Sequence, residues 1–112
     1  MPAPLVYFEF AGPDVAALRA FYNGVFGWQI GADSAIAAAN TGSLRGGLRQ
    51  DPPDKVLYFG VPDITQSLAT IAASGGTVVI PRTVVPGVVT FALFKDPAGN
   101  LLGLAEDGSF PA

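Results

Sequence analysis

Tyr7-Phe8-Glu9-Phe10-Ala11-Gly12-Pro13-Asp14-Val15 decides the fold, because Val56-Leu57-Tyr58-Phe59-Gly60-Val61-Pro62-Asp63-Ile64 follows the same plan 49 positions later. Each stretch is aromatic and β-branched, as a strand requires, and then breaks at a proline. An aspartate follows each proline and is suited to cap a helix. The shift of 49 also lays Phe10 on Phe59, Ala20 on Ala69, Gly27 on Gly76 and Ile30 on Val79. Strand, breaker, cap, helix and glycine stop thus recur in one register, the mark of an internal duplication.

Outward from these stretches, Val15, Leu18, Tyr22, Val25 and Phe26 recur at helical spacing and predict a helix from Val15 to Phe26, stopped at Gly27. Ile64, Leu68, Ile71 and Ala72 form the matching stripe of a second helix, ended by Gly75-Gly76. Trp28-Gln29-Ile30 reads as a short strand. Ala35 to Ala39 and Ser43 to Arg49 read as weaker strands around Asn40-Thr41-Gly42, although the alanine run favours helix on propensity alone. Asp51-Pro52-Pro53-Asp54 is a stiff linker, and Lys55 to Val61 is the next strand. Thr77 to Ile80, then Val84 to Phe94 with a bend at Pro86-Gly87, then Leu101 to Ala105 complete the strands. Asp96-Pro97-Ala98-Gly99-Asn100 is a hairpin turn, and a loose tail is expected from Asp107 onward.

Composition narrows the chemistry. The 112 residues fit one domain, half of them hydrophobic and 13% charged, so a core is available and disorder is disfavoured. No run approaches the roughly 20 apolar residues of a membrane span, and no signal peptide is evident, which points to a cytoplasmic protein. A net charge of −3 with six dispersed basic residues argues against nucleic acid. Cysteine and histidine are both absent, so thiolate or imidazole ligation of a metal is impossible. Only carboxylates, carbonyls and water remain, which suit magnesium, calcium or manganese. No phosphate-binding glycine loop or Gly-x-Ser-x-Gly nucleophile motif occurs.

Leu18-Arg19-Ala20-Phe21-Tyr22-Asn23-Gly24-Val25-Phe26-Gly27-Trp28 resembles the first module of the vicinal oxygen chelate superfamily, which includes glyoxalases, bleomycin-resistance proteins and extradiol dioxygenases. Val61-Pro62-Asp63-Ile64, the Val84-Val85-Pro86-Gly87-Val88 bend and Phe94-Lys95-Asp96-Pro97-Ala98-Gly99-Asn100 resemble a glyoxalase-like pattern, with the Asp-Pro-x-Gly-Asn turn the most specific piece. The resemblance covers about residues 4 to 106. It implies an α+β fold of two βαβββ modules in tandem, about 4–50 and 55–106 within one domain, whose curled mixed sheets enclose a cup. Metal-binding relatives carry His or Glu at positions that align here with Tyr7, Val56 and Gly103. None of these is a useful ligand, so no metal and no cofactor are expected.

Alternation along the first strand puts Phe8 and Phe10 on the helix side and Tyr7 and Glu9 in the cup. In the second module Leu57 and Phe59 should face the helix, leaving Val56, Tyr58 and Gly60 on the other side. Glu9 is one of two glutamates. It either reaches solvent or a nearby Arg or Tyr, or lies partly buried, where it would bind a ligand donor or act as a base. Tyr7, Tyr58 and Trp28 either fill the core or line the cup to stack a flat or cationic ligand. Arg82 is a surface group, or closes over an anionic ligand.

Three functions compete. The first is metal-free binding of a small molecule by Tyr7, Glu9, Trp28 and Tyr58. The second is a metal-independent isomerase or lyase with Glu9 as base and Tyr7 or Tyr58 as acid. The third is an association module, in which an open sheet edge or exchanged modules make a homodimer.

Overall fold

Two aspartates start the two long helices of this computed structural model, which describes residues 2–108. Asp14 and Asp63 lie in extended backbone, and each carboxylate accepts from the third helical N–H, Ala17 at 3.0 Å and Gln66 at 3.1 Å. They open α1 (Val15–Phe26) and α3 (Ile64–Ala73). Gly27, at a φ of 70°, ends α1 in the left-handed turn that glycine adopts without strain. The strands are β1 (Leu5–Gly12), β2 (Ala35–Ile36), β3 (Arg45–Gln50), β4 (Asp54–Val61), β5 (Thr77–Val85), β6 (Val89–Lys95) and β7 (Leu101–Glu106), and α2 (Ala38–Thr41) is a single turn. The fold is α+β.

The chain forms two compact units. One holds residues 7–57, and the other joins the residues up to Val6 to those from Tyr58 on. In the first, here the N-terminal unit, β1 runs parallel to β3 and β3 antiparallel to β2. Phe8, Ile30, Ile36 and Leu48 form its core, with Phe10, Val15, Leu18 and Tyr22 packed against them. In the C-terminal unit β4 runs parallel to β7, and β6 pairs antiparallel with both β7 and β5. Its core is Val61, Ile64, Leu68, Ala92, Phe94 and Leu104, with Phe59 and Ile71 alongside.

Several predicted elements differ. Trp28-Gln29-Ile30 is not a strand. The Asn23 side chain takes both backbone groups of Ile30, accepting from its N–H at 2.9 Å and donating to its carbonyl at 3.1 Å, while Asn40 Oδ1 accepts from the Gln29 N–H. Side-chain amides thus satisfy the backbone that a neighbouring strand would otherwise pair. The alanine run gives two residues of strand and then α2, so propensity prevails where little is buried. The N-terminal unit therefore has three strands rather than four. β5 runs unbroken through Pro81, because among the described residues it pairs on one side only and its register shifts between Val78 and Thr83. Ala72 is exposed rather than part of the buried stripe, as are Leu57, Val25 and Phe26. The predicted tail beyond Gly108 lies outside the described residues.

Candidate functional site

Side chains on paired strands share a face with their register partners. In the N-terminal unit β1 and β3 pair Tyr7 with Arg45, Glu9 with Gly47 and Ala11 with Arg49. Since Phe8, Phe10 and Leu48 face α1, the opposite face carries Tyr7, Glu9, Arg45, Gly47 and Arg49. Arg49 Nη1 donates to Glu9 Oε1 at 2.7 Å, a short charge-assisted bond to a carboxylate 19% exposed. Arg49 Nε lies 3.1 Å from Asp51 Oδ2 without hydrogen-bond alignment, so the guanidinium stands between two carboxylates. Burial, then the Glu9 charge, push the Tyr7 hydroxyl above its ordinary pKa, with Arg45 opposing. Tyr7 is therefore a neutral hydrogen-bonding phenol at ordinary pH. Glu9 combines elements of both predicted alternatives: it is partly buried and it bonds an arginine.

Trp28 is placed elsewhere. Its ring stacks on Tyr22 at 5.5 Å and packs near Phe8 at 6.4 Å, in the aromatic cluster on the helix side of β1. Tyr58 belongs to the C-terminal unit, where it opposes Gly103 on the face turned from α3. Leu93 and Ala105 share that face and are buried with it. On its helix side, a cleft of about 490 Å³ opens over Phe59, Phe94 and Leu104, rimmed by Gln66, Ser67 and Thr70 of α3.

Positions 7, 56 and 103 do not suit a divalent cation. Val56 and Gly103 have no side-chain donor atom, and a side chain at 103 would meet the Tyr58 ring: a Cβ there would lie well inside 3.0 Å of two of its carbons. Among the described residues, no three carboxylates converge. Position 47 is equivalent to 103, since Gly47-Leu48 and Gly103-Leu104 occupy matching places on the last strand of each unit. Sequence reasoning passed over Gly47, Arg45 and Arg49. The repeated Gly-Leu pair, 56 positions apart, was the available signal.

Arg82 is held inside the C-terminal unit. Its Nε and Nη2 donate to the two oxygens of Glu106 at 2.9 and 2.8 Å, and Glu106 also accepts from the Ile64 N–H at the start of α3. The Arg82 bond and the Ile64 N–H pull the Glu106 pKa down to about 2. Asp96 is held low by its bonds to Asn100 within the turn.

Comparison with known proteins matches residues 7–105 to the glyoxalase-like domain. Two curated Streptomyces proteins are similar across 96% of this chain: the anthracycline biosynthesis protein DnrV of Streptomyces peucetius at 26% identity and DauV of Streptomyces sp. strain C5 at 25%. The chain spans 48% of each, about half their length. A methylmalonyl-CoA epimerase variant of Streptomyces coelicolor superposes with a TM-score of 0.67 at 14% identity, covering all of this chain and 99% of the other. A hypothetical protein of Bacillus halodurans superposes at 0.71 with 13% identity, covering 100% and 99%. At such identities the structures show a shared fold alone.

Proposed function

The chain belongs to the glyoxalase-like domain family, and from that premise we propose that it binds a small organic molecule, without a metal, on the face of the N-terminal unit that carries Tyr7, Glu9 and Arg49. The Glu9–Arg49 pair carries this reading. A carboxylate 19% exposed, oriented by a guanidinium at 2.7 Å and set beside a neutral phenol, gives directional polar groups on the face of β1 turned from α1. The corresponding face of the C-terminal unit carries the buried Tyr58, Leu93 and Ala105 instead. The names of the two Streptomyces relatives place them in anthracycline biosynthesis, which supports a polycyclic, oxygenated ligand.

Titration of an anthracycline, followed by its own fluorescence, tests the proposal. The wild-type protein should bind, and Glu9→Gln and Tyr7→Phe should each weaken binding roughly tenfold, the loss of one polar contact. Absence of binding removes the ligand class, and equal binding by all three proteins removes the site. Arg49 engages Oε1 of Glu9, and Glu9-dependent turnover of an α-carbonyl substrate would favour the isomerase or lyase reading instead.

A second reading has its own observation. Among the described residues β5 pairs with β6 alone, and Val78, Val79, Val84 and Val85 on it are all exposed. A long apolar edge strand is a template for a second copy, so a homodimer is the expected state, and a strict monomer by light scattering at high concentration would remove it.

A further inference from the structure

Glycine stands at position 47 and at position 103, at equivalent places on β3 and β7 and on the faces turned from the helices. Neither needs a left-handed backbone, since neither has a positive φ. The need is space. An ideal Cβ on Gly103 would lie well inside 3.0 Å of two carbons of the Tyr58 ring, and one on Gly47 well inside 3.0 Å of the Tyr7 hydroxyl oxygen. The two overlaps differ in kind. At Gly47 only the hydroxyl intrudes, the ring carbon that bears it being 3.5 Å away, whereas at Gly103 the ring itself lies on the strand. The tyrosines differ in freedom: Tyr58 is 6% exposed, and Tyr7 is half-buried.

We infer that Tyr7 and Tyr58 each favour glycine on the strand beside them, that together they deny positions 47 and 103 to chelating side chains, and that Tyr7 determines specificity on the N-terminal face. The inference deepens the small-molecule reading and rests on it for the N-terminal face. A ligand there meets a hydroxyl lying low against bare backbone, a group that reads a carbonyl or hydroxyl of the ligand. A carboxylate cannot be installed at 103 by one substitution, because its β-carbon already collides with Tyr58.

The test is read in stability, so it fails separately from the ligand proposal. Gly47→Ala should lower the melting temperature by roughly 5–15 °C, the usual range for overpacking in a small domain. Adding Tyr7→Phe should restore most of that loss, because the offending oxygen is gone. At the other site Tyr58→Phe should not rescue Gly103→Ala. Adding Gly103→Ala to Tyr58→Ala, however, should cost nothing beyond Tyr58→Ala alone, since a strand residue then replaces glycine without a clash. Nickel(II) added to the wild-type protein should leave its melting temperature unchanged. Additive losses in the first pair, rescue of Gly103→Ala by Tyr58→Phe, or a nickel-induced rise would each overturn the inference. Should Tyr58→Ala fail to fold, the conservative Tyr7→Phe/Gly47→Ala cycle decides alone.

Discussion

At the residue scale, two arginines organise carboxylates, Arg49 holding Glu9 and Asp51 in the N-terminal unit and Arg82 holding Glu106 in the C-terminal unit. Removing Arg49 leaves Glu9 partly buried without its cation, and removes the partner of Asp51. Arg49→Ala should cost about 1–2 kcal/mol, the value of a charge-assisted bond discounted for partial exposure, measured by urea unfolding at neutral pH. Glu106 makes a pH prediction. Its pKa in the folded protein is about 2, below the ordinary carboxylate value it regains on unfolding. Its contribution is therefore present above about pH 4.5 and is lost as the pH falls through that value toward 2. The gap in unfolding midpoint between wild type and Glu106→Gln should accordingly narrow over that interval. A gap that stays constant would show that the Arg82 bridge does not control the pH response.

At the scale of elements, the helices were the most legible part of the chain. Pro13-Asp14 and Pro62-Asp63 announce both starts, and the caps form as the residue types require. Asp63→Ala should destabilise the protein by about 1 kcal/mol, the usual loss for a cap, with a matching fall in the unfolding midpoint. Strand content between residues 28 and 44 was illegible for a definite reason. Its backbone partners are the side chains of Asn23 and Asn40, which lie 7 and 11 residues from the groups they hold, and no periodic pattern reports such bonds. β5 misled differently, because proline interrupts a central strand but not one whose outer edge is free of a neighbour.

For the whole molecule, the duplication gave the architecture and concealed the difference between its halves. Equivalent register positions hold Glu9 and Tyr58, so one copy keeps an ionic group where the other keeps an aromatic ring. Tyr7, Glu9 and Tyr58 could be assigned to strand faces by counting in twos. Trp28 could not, because it follows a helix end whose direction depends on tertiary packing. The arginines of β3 went unread because the strand itself was faint. Net charge makes a prediction at this scale. With an isoelectric point near 4.5, the protein should scatter light most strongly close to that pH at low salt and clear on either side, since uncharged surfaces associate. A clear solution throughout would show that the exposed apolar residues are covered by self-association at every pH.

Asn23 is followed directly by Gly24, a pair whose amide is chemically prone to hydrolysis. Loss of ammonia would keep the oxygen that accepts from Ile30 but delete the nitrogen that donates to it, setting a negative charge against a carbonyl. Within α1, however, the Gly24 nitrogen that must attack the amide is held in helical backbone, so folding protects this amide and its loss should be confined to the unfolded chain.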